Sequence, residues 1–198
     1  LFHRGPDGDG FRVFRDVGGH PKGRWVAKLA AIRHRSGNAI DLAYDDKGLL
    51  THVRDSCGRI LQLAYDVDGL LAMVKLPLRA GSGLYMHRRY EFDARFDLVQ
   101  VTDSTGRAYR YEYVNHLMVR ETDRSGLSFH FAYDGRSSGA KCVRTWGDGG
   151  VFDHVIHYDQ QNRKTIVENS TGHVTLYQRD PFEQVVKIVD AHGGASTF

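Results

Sequence analysis

Tyr44-Asp45-Asp46-Lys47-Gly48-Leu49-Leu50 is followed 21 residues later by Tyr65-Asp66-Val67-Asp68-Gly69-Leu70-Leu71. An aspartate side chain can accept the backbone N–H two residues on, and a glycine three residues on supplies the positive φ that closes a hairpin. Each stretch therefore reads as the end of a strand, a tight turn and the start of the next strand. Further along stand a degenerate copy, Phe92-Asp93-Ala94-Arg95-Phe96-Asp97-Leu98, and the shorter matches Tyr133-Asp134 and Tyr158-Asp159. Arg179-Asp180 occupies the place where the next copy is due.

A second pattern, apolar-x-Asp-x-x-Gly, alternates with the first. Asp55 with Gly58 and Asp103 with Gly106 are its full copies. Asp123 with Gly126, Asn169 with Gly172 and Asp190 with Gly193 are weaker ones, and His34 fills the aspartate slot before Gly37. The period of 21 recurs from Phe92 to Tyr113, Tyr158 to Arg179, His34 to Asp55 and Asn169 to Asp190. Departures are local: Tyr65 to Phe92 is 27 residues, with the surplus near 75–89, and Tyr133 to Tyr158 is 25. A repeat array tolerates insertions confined to a few turns.

Between turns the chain alternates with period two. Tyr109, Tyr111 and Tyr113 share one face and Ala108, Arg110 and Glu112 the other; Leu127, Phe129, Phe131 and Tyr133 oppose Ser128, His130 and Ala132. Helical spacing fits neither window. The reading is all-β: an antiparallel hairpin meander of roughly 16–18 strands at ordinary strand length.

Composition agrees. With 41% hydrophobic and 11% aromatic residues, the 198-residue chain has the apolar surface that a disordered one lacks. Twenty-two glycines against four prolines suit many tight turns. A net charge of +3 is too small to argue for nucleic acid, and no apolar run is long enough for a membrane-spanning helix. Cys57 and Cys142, 85 residues apart, make neither a disulfide framework nor a zinc cage.

The Tyr-Asp-x-x-Gly-x-Leu repeat resembles the YD repeat of Rhs proteins, which toxin-complex shells and teneurins share. Glu121–Leu127 followed by Phe129–Gly135 is similar to the Rhs core. Trp146-Gly147-Asp148-Gly149-Gly150 resembles Rhs effectors delivered by type VI secretion. The resemblance covers about residues 29–198, with 1–28 a basic lead-in, expected to be β. It implies that the sheet is curved and is a segment of an Rhs-type β-cocoon, a non-enzymatic wall enclosing a C-terminal toxin used in interbacterial competition. Implied partners are the rest of the shell, the enclosed toxin and, through other regions, a secretion spike and chaperone. The implied path runs from the bacterial cytoplasm into a target cell. Asp180-Pro181-Phe182-Glu183 only partly matches the motif at the self-cleaving core boundary, so the chain reads as a piece of the N-terminal half of such a core.

The residues that could carry chemistry have local explanations. Asp45, Asp66, Asp134 and Asp159 each fall in one repeat slot, so the turn accounts for all of them together. The repeat-turn set is thus expected to be structural: these four with Gly48, Asp55, Gly58, Gly69, Asp103, Gly106, Asp123, Gly126, Gly172, Asp190 and Gly193. His154 and His157 resemble a ligand pair, but on a strand positions i and i+3 diverge; no metal and no cofactor is expected. Gly81-Ser82-Gly83 is neither a nucleophile elbow nor a phosphate loop. Cys57 has no evident activating base, and the sequon Asn169-Ser170-Thr171 coincides with a turn. Arg4, Arg12, Arg15, Lys22, Arg24, Lys28, Arg33 and Arg35 read as a solvated lead-in rather than an anion site. Two rival functions follow from other features: a cell-surface or carbohydrate-binding YD module using the aromatic face, and a hydrolase built from Asp and His.

Overall fold

The computed structural model describes residues 2–4, 10–16, 27–78 and 83–198. Within them the chain is all-β, with eighteen strands and a single 3-10 turn at Asp148–Gly150. It forms two compact units, 1–91 with 101–107 and 92–100 with 108–198. Of the expected lead-in, 1, 5–9 and 17–26 lie outside the described residues, as do 79–82 of the insertion.

The first unit carries β1 (Phe2–Arg4), β2 (Gly10–Asp16), β3 (Ala27–His34), β4 (Ala39–Tyr44), β5 (Leu50–Asp55), β6 (Ile60–Tyr65), β7 (Leu71–Pro77) and all but the last residue of β8 (Leu84–Phe92). β9 (Leu98–Asp103) divides between the units. The second unit carries β10 (Ala108–Val114), β11 (Leu117–Thr122), β12 (Ser128–Tyr133), β13 (Cys142–Gly147), β14 (His154–Asp159), β15 (Lys164–Asn169), β16 (Val174–Arg179), β17 (Val185–Val189) and β18 (Ala195–Thr197). In each unit consecutive strands pair antiparallel, and the described connections are turns too short for a parallel crossover.

The pairing puts like with like on each face. In the first unit Leu42 stands opposite Val53, Val53 opposite Leu61, and Leu63 opposite Val74. Cross-strand apolar pairs of this kind each contribute about 0.2–1 kcal/mol. Among the described residues only Ala31, Ala108, Asp103, Ser128 and Gly147 are buried, and no large side chain is fully so. The described contacts run between strands that follow one another in sequence, not between layers.

The alternation reads cleanly in β10, where the three tyrosines are half-buried while Arg110, Glu112 and Val114 are exposed. It is less clean in β12, where both faces are half-buried and Ser128, on the polar face, is buried. The reason is local bonding: Ser128 Oγ lies 3.0 Å from Thr122 Oγ1, and its amide donates to Asp148 at 2.8 Å.

Candidate functional site

The recurring feature that gathers polar side chains is the turn. At Asp66 the carboxylate Oδ1 accepts the amides of Asp68 and Leu70 at 3.0 and 2.8 Å, and Gly69 takes φ +83°. Asp45 likewise accepts from Leu49 at 2.8 Å, with Gly48 at φ +79°. The second series uses the same geometry. Asp55 accepts from Cys57 and Arg59, Asp103 from Thr105 and Arg107, Asp123 from Ser125 and Leu127, and Asp190 from His192 and Gly194. Gly58, Gly106, Gly126 and Gly193 all have positive φ. Asn169 makes the pair of bonds through its amide oxygen to Thr171 and His173, before Gly172. At His34 the ring nitrogen Nδ1 accepts from the Ser36 amide at 3.1 Å, a smaller copy of the motif.

Two copies depart in length. Asp134 accepts from Lys141, seven residues on, across a longer loop. Asp159 accepts from the amide and side chain of Asn162, at 3.0 and 2.7 Å, and Arg163 takes φ +51°. Other left-handed positions carry no glycine signal in sequence. Phe96 and Glu183 stand in the glycine slot at φ +66° and +64°, behind Asp93 and Asp180, and the aspartates were the available clue. Asn115 and His116 both have positive φ and make a two-residue hairpin turn that the 21-residue pattern does not announce. Asp180–Glu183, the partial boundary motif, is an ordinary repeat turn.

The carboxylates have identifiable electrostatics where donors converge. The Ser125 hydroxyl, with backbone amides behind it, holds Asp123 below the usual carboxylate range. Asn162 does the same for Asp159. Asp148 is held down by His130 and then by the Ser128 amide. This last group fixes the Trp146–Gly150 segment. His130 Nε2 is 3.1 Å from Asp148 Oδ1, its ring stacks on Trp146 at 5.3 Å, and Arg144, bonded twice to Asp153, lies over the same indole.

The remaining candidates do not converge. His154 bonds the Phe152 carbonyl, and Ile156 pairs with Val167 while His157 pairs with Ile166, so the two histidines occupy opposite faces. Among the described residues no group of three His, Cys, Asp or Glu could hold a metal ion. Both cysteines are free, Cys57 exposed and Cys142 half-buried, with burial pushing the Cys142 thiol up. Of the basic lead-in, Lys22 and Arg24 lie outside the described residues, as does the Arg4 side chain. Lys28 is tied to the first turn, its ammonium bonded to the Gly48 carbonyl and lying 5.0 Å from the centre of the Tyr44 ring. Arg33 pairs with Asp41 at 2.5 Å. Gly81 and Ser82 lie outside the described residues.

The sequence matches no family model and no curated protein. Solved structures do match. The chain is similar to one in the Tc holotoxin pore of Photorhabdus luminescens, with a TM-score of 0.58 and 13% identity over 95% of its length. It is similar to one in the TcdB2–TccC3 complex at TM-score 0.59 and 14% identity over 95%, and to the form without the hypervariable C-terminal region over 98%.

The fold is Rhs-like.

At these identities the likeness shows architecture alone. The chain spans about a tenth of the length of the solved chains it matches. No helix among the described residues is long and apolar enough to cross a membrane, which says nothing of crossing by strands.

Proposed function

We propose that the chain is a non-enzymatic segment of an Rhs-type shell that encloses a C-terminal toxin, delivered in competition between bacteria. The observation that carries this reading is the same bonded turn repeated along an antiparallel meander whose fold matches toxin-complex chains over nearly its whole length. That few of the described residues are buried supports it, because a sheet face that stabilises a free-standing domain is normally packed against a second layer. In this reading the repeat aspartates and glycines are structural, residues 29–198 form wall, and 1–28 lead into it. The mechanism is steric: a continuous hydrogen-bonded wall keeps the cargo from proteases and from its own targets until release. Resemblance of the Trp146–Gly150 stretch to type VI effectors supports delivery by that route, with a spike protein and chaperone acting through other regions.

Blotting cells of the source organism with an antibody to this chain tests the proposal. The expected result is a parent polypeptide roughly ten times as long, in proportion to the matched chains, with a protease-resistant core. A native product near 22 kDa would contradict it, since so short a wall cannot enclose a folded domain. Saturable glycan binding lost on Tyr111→Ala without unfolding would favour the carbohydrate-binding module instead.

A further inference from the structure

Four repeat tyrosines make a bond that the turn chemistry does not require. The hydroxyl of Tyr44 donates to the Leu29 carbonyl at 2.9 Å, Tyr65 to Leu50 at 2.8 Å, Tyr133 to Met118 at 2.7 Å and Tyr158 to Cys142 at 2.8 Å. Every acceptor sits at a β-bulge. Val13 pairs with Ala31 but Phe14 with Leu29, which leaves Ala30 as an extra residue. Thr51, Val119 and Val143 are extra in the same way beside Leu50, Met118 and Cys142. In all four cases the bulge belongs to the hairpin before the tyrosine's own.

The converse also holds. Arg179 fills the tyrosine slot of β16, and the hairpin before it, β14–β15, pairs without a shift from His154↔Asn169 to Asp159↔Lys164. Where the bulge is missing, so is the hydroxyl. An extra residue interrupts the ladder and disturbs the pairing on either side of it, and the phenol adds a bond to the carbonyl just beside that interruption. Interrupted ladder positions are also where strands open locally.

We infer that Tyr44, Tyr65, Tyr133 and Tyr158 are each a latch on the preceding hairpin, so that where this bond is made a hairpin's resistance to opening is set by the repeat that follows it. The device is directional, running from the C-terminal side of each pair to the N-terminal side. It also contains a weak joint. The β6–β7 hairpin has the same bulge, with Ala72 extra, but the next repeat slot in sequence holds Phe92, which has no hydroxyl.

Amide hydrogen exchange on the whole chain and on Tyr65→Phe, which keeps the ring and removes only the hydroxyl, tests the latch. Exchange at Leu50–Val53 should speed up roughly fivefold, the size of one neutral hydrogen bond, while Leu71–Val74 stays unchanged. Acceleration confined to Leu71–Val74, spread evenly over the chain, or absent would overturn the inference. Should Tyr65→Phe fail to fold, Tyr158→Phe gives the same reading at Cys142–Arg144. In the unsubstituted chain Leu71–Met73 should exchange faster than Leu50–His52, and equal protection would remove the weak joint.

Discussion

The turns that begin at Asp66 and Asp180 are built with the same hydrogen bonds and different residues. Each aspartate amide donates to the carbonyl four residues on at 2.9 Å, and each carboxylate accepts from the amides two and four residues on. Each loop carries an exposed apolar residue, Val67 one place after its aspartate by 94% and Phe182 two places after its own by 82%, so neither is held by packing. The differences lie on either side. Tyr65 and Gly69 frame the first turn; Arg179 and Glu183 frame the second, and they form an ion pair with one another. Glu183 still takes φ +64°. The comparison separates what the turn needs, the aspartate, from what eases it, the glycine.

The largest break should come from Gly69→Val. A β-branched side chain forced to positive φ costs about 1–2 kcal/mol or more, and denaturant unfolding should register a loss of that size. Open space around the site offers no compensating contact: only the tip of Leu49 comes within 4.0 Å of an added Cβ. Next in size, Asp66→Ala and Asp180→Ala should each lose about 1 kcal/mol, and by similar amounts, because both remove the same two bonds to backbone amides. A much larger loss at one of them would mean that the turns are not equivalent.

Glu183→Gly sharpens the contrast from the other side. Relief of the left-handed strain outweighs an ion pair whose carboxylate is 60% exposed, so a net gain of a few tenths of a kcal/mol is expected in thermal unfolding. The smallest effect is on pH. The folded chain holds Asp123 and Asp159 below the ordinary carboxylate value, so their contribution is complete above that value and fades as pH falls through the lower folded one. Asp123→Asn should therefore flatten the acid limb by lowering stability slightly at neutral pH and leaving it nearly unchanged at low pH.

The turns were legible because their cause is local: an acceptor and the two amides it captures lie within five residues. The face of each strand was legible for the same reason, as Tyr109, Tyr111 and Tyr113 illustrate. Phe96 and Glu183 stayed hidden because sequence gives no sign that a bulky residue will accept positive φ when the turn around it is already bonded. The His130–Asp148 clasp spans 18 residues, the Lys28–Gly48 contact 20, and the tyrosine bonds 15 or 16. All three depend on the register between strands, and bulges shift that register without marking the sequence. The burial of Ser128 was not legible because its partners, Thr122 and Asp148, are supplied by that register.

A single local cause for every repeat aspartate is the claim on which the rest stands, and an alanine scan of Asp45, Asp66, Asp103, Asp123, Asp180 and Asp190 by denaturant unfolding tests it most directly. The account predicts a loss of about 1 kcal/mol at each position, with no variant set apart. A scan in which one aspartate proved dispensable for stability yet indispensable for a measurable activity would contradict it and point to a catalytic site instead.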